Sequence, residues 1–142
     1  MILLDTNVIL RHLIAPTDEK SRQMAEASST LFRAIRSGQI EATVSEVVVH
    51  EVCYVLGSKK HYALTGSQIR ASVAPLFDLR GLKLTQTERR IFLRALEIYA
   101  NDNKLGSADA LATARCEVQG LQLATHDRRM KRSTSASTWN PE

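Results

Sequence analysis

Four acidic residues, Asp5, Glu51, Asp109 and Asp127, lie inside or at the ends of apolar stretches of this 142-residue chain. Asp5 interrupts M-I-L-L-D-T-N-V-I-L, and Asp127 closes L-Q-L-A-T-H-D. A charge between apolar runs is costly unless something pairs with it. Glu51 has Val47, Val48, Val52 and Val55 around it at helical spacings, and Asp109 sits among Ala108, Ala110, Leu111, Ala112 and Ala114. Each has an ordinary alternative: a capping Asp at a strand-to-helix turn, a glutamate reaching past its stem to solvent, an acid in a helix's first turn. Gathered together, several carboxylates repel unless they are protonated or bind a metal. Oxygen-only donors select hard ions, Mg²⁺ or Mn²⁺. Such an ion lowers the pKa of a bound water and stabilises an in-line displacement at phosphorus, so the reaction class expected is phosphodiester hydrolysis.

The elements that must position these groups follow from periodicity. Met1 to Leu4 reads as a short buried strand, with Asp5 at its carboxyl end, the edge where open α/β sheets bind ligands. Thr6 or Asp5 can cap a helix over about Asn7 to Ile14, and Thr17 can cap a second that Gly38 ends. Ile40–Val44 reads as a strand and Glu46–Ser58 as a helix capped by Ser45. A helix over Gly66–Leu79 should kink or split at Pro75. A short strand follows at Leu82–Leu84, then an amphipathic helix from Thr85 or Thr87 to Ala100. Ser107 caps a helix over Ala108–Gln119 that Gly120 ends, and Leu121–Thr125 reads as the last strand. Strands alternating with helices imply a parallel sheet covered on both faces. If the first and last strands are neighbours, Asp5 and Asp127 converge at one edge. Residues 1–142 form one domain, whose Ser/Thr/Ala-rich tail from about 133 is expected to be loosely ordered.

Composition sets the outer bounds. The 44% hydrophobic and 24% charged residues suit a soluble globular domain, and no stretch reaches the ~20 apolar residues of a membrane span. Asp5 breaks the apolar start and no basic region precedes it, so no signal peptide and a cytoplasmic location are expected. Cys53 and Cys116 have neither metal-ligand nor C-x-x-C spacing and read as buried thiols. The net charge of +4 is weak support for a polyanionic partner.

Four short motifs in order then carry a resemblance: L-D-T-N-V-I-L (4–10), H-E-V-C-Y-V-L (50–56), S-A-D-A-L-A-T-A (107–114) and A-T-H-D-R (124–128). Together they resemble the PIN-domain ribonucleases and, among them, the VapC-type toxins of type II toxin–antitoxin pairs. The resemblance implies an α/β fold, a three-layer α/β/α sandwich with a short central parallel sheet flanked by helices. It implies that Asp5, Glu51, Asp109 and Asp127 form the acidic quartet binding Mg²⁺ or Mn²⁺, with Thr6 or Asn7 and Thr125 beside the metal. It also implies a homodimer and a cognate antitoxin protein that blocks the site. Arg129 stands where many relatives carry a further acid.

The activity expected is thus a metal-dependent endoribonuclease, a hydrolase acting on RNA. Directly after Asp127, Arg128, Arg129, Lys131 and Arg132 could neutralise RNA phosphates. Arg11, Lys59, Lys60 and Lys104 are further candidates. Aromatic residues are only 5% of the chain, so base-stacking platforms should be scarce. Two other readings compete. One is a non-catalytic nucleic-acid-binding or interaction module on the same fold. The other is an aspartate-based phosphatase with Asp5 as nucleophile, disfavoured because Asn7 stands where that chemistry usually needs a second acid.

Overall fold

The computed structural model describes residues 1–102 and 104–140. Two strands and seven α-helices are found among them; of the four strands expected, Leu82–Leu84 and Leu121–Thr125 make only single bridges, at Leu82 and Leu123. Strand β1 (Ile2–Leu3) leads through helices α1 (Thr6–Leu13) and α2 (Glu19–Ser37) to β2 (Ala42–Thr43). The two strands are parallel, with Ile2 opposite Ala42 and Leu3 opposite Thr43. Leu82 adds one parallel bridge on the far side of Ala42. The strands are shorter than the apolar runs suggest, and Ile2 and Leu3 are exposed where a buried strand is expected.

Local chemistry accounts for most helix ends. Asp18, one residue after the expected Thr17, caps α2 by accepting from the Ser21 amide at 2.7 Å, and Gly38 ends the helix at φ 82°. Ser45 caps α3 (Glu46–Gly57), and Thr65 with Gln68 forms a capping box at the start of α4 (Gly66–Val73). Pro75 ends α4 as expected, and the chain continues as a 3₁₀ turn over Ala74–Asp78. Thr85, not Thr87, caps α5 (Gln86–Asn101) in a second capping box with Glu88. Helix α6 (Ser107–Gln119) begins one residue earlier than predicted, since Gly106 takes the cap position at φ 87° and the Ser107 hydroxyl is engaged elsewhere. The basic run forms a short helix not expected from sequence, α7 (Arg128–Ser133).

The core is one cluster from α1 to α7, in which α5 and α6 pack most extensively. Phe32, Ile35, Leu56, Ile69, Ile91, Phe92 and Leu96 are almost wholly buried. Both cysteines are buried and unbridged, and burial pushes the Cys53 thiol up to about 12. No helix is long and apolar enough to cross a membrane among the described residues.

The last predicted strand differs most from expectation. Leu123 pairs not with β1 but with the tail: its amide donates to Ser137 and its carbonyl accepts from Trp139. Glu117 on α6 accepts from the Ser135 amide (2.8 Å) and the Thr134 hydroxyl (3.1 Å) while paired with Arg94 of α5 at 2.6 Å. Partial burial opposes its ionisation, but these three donors together hold its carboxyl below the usual range. The tail is thereby tied to α6, and β1 has only β2 as a sheet neighbour among the described residues.

Helix α1 meets α2 through His12, whose ring stacks on Phe32 with centroids 4.0 Å apart. His12 Nδ1 is buried without a hydrogen-bond partner. Burial, reinforced by the Arg36 charge, holds the imidazole pKa below its ordinary 6.5. Below pH 6.5 the unfolded chain takes up a proton that the folded chain resists. Stability should therefore fall as pH drops from 6.5 and level off below the folded pKa of His12. Urea unfolding above and below that pH, compared with His12→Phe, checks this: the variant should lose that part of the acid dependence.

Candidate functional site

Asp5 ends β1 and occupies the cap position of α1, yet its carboxylate makes no capping hydrogen bond. The ordinary explanation of an Asp at this turn thus fails here. One residue on, the buried Thr6 hydroxyl donates to Glu51 Oε2 at 2.6 Å, joining α1 to the middle of α3. Asp5, Thr6, Asn7 and Glu51 line one cleft of about 570 Å³. Arg11 lines it too, held by donation to Ser21 Oγ at 2.9 Å.

His61 and Tyr62 also reach this cleft, which the sequence did not suggest. A tight turn after α3 carries them back: His61 and Ala63 amides donate to the Ser58 carbonyl, and the Leu64 amide donates to Leu56. Ala63 adopts φ 50° to make this turn. Alanine carries no signal for that conformation, so the fold-back is invisible beforehand.

The other two carboxylates lie elsewhere. Asp109, half-buried in the first turn of α6, opens into a separate pocket of about 280 Å³ with His50, Tyr54 and Ser107. His50 Nδ1 and Ser107 Oγ are 2.7 Å apart, a bond that ties α3 to the start of α6. Asp127 caps α7, its Oδ1 accepting from the Arg129 and Met130 amides at 2.8 and 3.1 Å. Here the local alternative holds. Thr125 accepts from the Asp127 amide at 3.0 Å and so shapes that cap.

Among the described residues the segment before Asp127 pairs with the tail and not with β1, and Asp127 does not line the Asp5–Glu51 cleft. No group of three or more His, Cys, Asp or Glu side chains that could hold a metal ion occurs among the described residues. The two carboxylates that share a cleft are Asp5 and Glu51. Mg²⁺ commonly takes only one or two protein carboxylates and keeps waters or phosphate oxygens as its other ligands.

Of the basic run, Arg129 is paired with Asp102 of α5 at 3.2 Å. Arg128, Lys131 and Arg132 are exposed and have no ion-pair partner among the described residues. Glu46, an ordinary first-turn acid, pairs with Arg115 of α6 at 2.7 Å.

Comparison with known families settles the relationship: the PIN domain matches residues 2–134. The chain belongs to the PIN-domain family. PIN domains are generally nucleases, typically use divalent metal ions, and commonly bind nucleic acid and often an antitoxin. No curated protein matches the sequence. As a PIN domain, this chain keeps a carboxylate after its first strand and another on α3, facing one cleft.

Proposed function

We propose that the protein is a Mg²⁺- or Mn²⁺-dependent endoribonuclease that hydrolyses RNA phosphodiester bonds, acting in the cytoplasm as the toxin of a toxin–antitoxin pair and forming a homodimer. The observation that carries this reading is the Asp5–Glu51 cleft, where two carboxylates from separate elements share an open, polar-lined space. When bound there, a hard divalent ion would supply an acidified water and neutralise charge at phosphorus. Asp5 and Glu51 would hold it. Thr6 fixes Glu51 Oε2 in place, and Asn7 offers an amide beside Asp5. Arg11 brings a guanidinium to the cleft that holds both carboxylates, where a phosphate would need it.

Asp109 and Asp127 complete the proposed acidic set, with Thr125 beside Asp127. Neither lines the Asp5–Glu51 cleft. Arg128, Lys131 and Arg132 are the free cations of α7 proposed to hold the RNA strand, and Arg129 would join them only by leaving Asp102. Cleavage of a structured RNA such as tRNA, with Mg²⁺ and with EDTA, tests the reading. Metal-dependent product that disappears in Asp5→Asn supports it, and metal-independent product refutes it.

One observation favours a second reading, a non-catalytic RNA-binding module: neither Asp109 nor Asp127 lines the cleft. RNA affinity that persists in EDTA, with no product under any metal, would select this alternative.

A further inference from the structure

The tail that pairs with Leu123 passes α7 at a cavity of about 420 Å³, lined in part by Thr125, His126, Lys131, Trp139 and Asn140. None of its lining belongs to the Asp5–Glu51 cleft. Trp139 is the only tryptophan of the chain, and it is 53% exposed although its backbone is fixed, its amide donating to the Leu123 carbonyl at 2.8 Å. The large aromatic Phe92, by contrast, is buried against Phe77. An indole carried on a fixed backbone and left open to solvent presents a ready π-face. Lys131 supplies a cation to the same cavity, and Asn140 an amide able to donate and accept.

We infer that this cavity is a subsite for one unpaired nucleotide, its base stacked on Trp139 and its phosphate met by Lys131. The inference rests on the RNA-directed reading above and departs from the expectation that stacking platforms would be scarce. The chemistry selects the occupant. A base offers a flat ring for the indole, polar edges for Asn140 and an anion for Lys131, and base–aromatic stacking tolerates any sequence. A cavity of this size lies within the range of small-molecule sites. Thr125 and His126, immediately before Asp127, form part of its wall, so a strand seated there would run beside Asp127.

The single tryptophan makes the test direct. The full chain is titrated in EDTA with a short unpaired oligoribonucleotide, and Trp139 fluorescence is read. Saturable quenching is expected with the single strand and none with a duplex of the same sequence. Anisotropy of a labelled oligonucleotide should show Trp139→Ala weakening binding by about 10-fold or more, and Trp139→Phe largely restoring it. Lys131→Gln should lower the salt dependence of binding by about one phosphate contact. Circular dichroism establishes that each variant is folded. The proposal is overturned if single strand and duplex quench alike, if inorganic polyphosphate quenches as well as RNA, or if Trp139→Ala binds unchanged. Binding in EDTA needs no cleavage. Quenching without metal-dependent product would therefore sink the nuclease reading and spare the subsite, while cleavage with a silent Trp139 would do the reverse.

Discussion

Asp5→Asn should lower the rate of metal-dependent RNA cleavage by about 100-fold or more while leaving thermal stability close to that of the parent. The first half follows from charge. In a site with two carboxylates, replacing one by an amide removes half of the negative charge available to a divalent ion, and such ions contribute several kcal/mol to transition-state stabilisation. The second half follows from what Asp5 does not do: its carboxylate makes no bond to the first turn of α1, so an amide there takes nothing from the helix. Asp127→Ala makes the contrast. That carboxylate accepts from two backbone amides, and its loss should cost about 1 kcal/mol of stability whatever happens to activity. Initial rates with Mg²⁺, beside melting curves of both variants, check the pair. An Asp5→Asn protein that cleaves at the parental rate would remove Asp5 from the site.

Gly81→Ala is expected to destabilise the fold by about 3 kcal/mol or more, a large fraction of a typical domain's stability. Gly81 is buried where the chain passes the end of α2: its amide donates to the Ile35 carbonyl and its carbonyl accepts from Ala42, both at 2.8 Å. A Cβ here would land on the Ile40 carbonyl oxygen and lie 2.6 Å from that of Ile35. Both obstacles are backbone, and moving them breaks the hydrogen bonds that hold β2 and Leu82 side by side. Gly120→Ala is the control. At φ 67° with nothing within 4 Å, it should cost only about 1 kcal/mol, from backbone strain. Urea midpoints for the two variants separate close approach from dihedral strain. Equal midpoints would show that the approach at Gly81 relaxes freely.

Much of this was legible because it is local. The caps at Ser45 and Thr85, the stops at Gly38 and Gly120 and the break at Pro75 each depend on one or two residues and a backbone preference. The α/β class followed from periodicity in the same way. What could not be read depends on which distant segments meet. Nothing in a Ser/Thr/Ala-rich tail announces that Ser137 and Trp139 will take both hydrogen-bonding groups of Leu123. Among the described residues the segment before Asp127 takes the tail, and not β1, as its partner. The site shows the same division. Glu51, in an apolar helix, does face a cleft beside Asp5, and Thr6 binds it. Asp109 and Asp127 had good local reasons for their charges, and Asp127 is used for that local purpose. His61 and Tyr62 were missed because a turn through Ala63 carries no sequence mark.

The uneven packing of the helices has a consequence for motion. Helices α5 and α6 bury most of one face each, Ile91, Phe92, Ala95 and Leu96 against Ala110, Leu111 and Ala114, whereas α1 buries only Thr6 and Ile9. Amide protons of α5 and α6 should therefore exchange with deuterium only on global unfolding, and those of α1 through smaller, more frequent openings. Asp5 and Thr6 thus sit on the easily loosened side of the molecule, hung from a rigid helical pair that contributes no atom to their cleft.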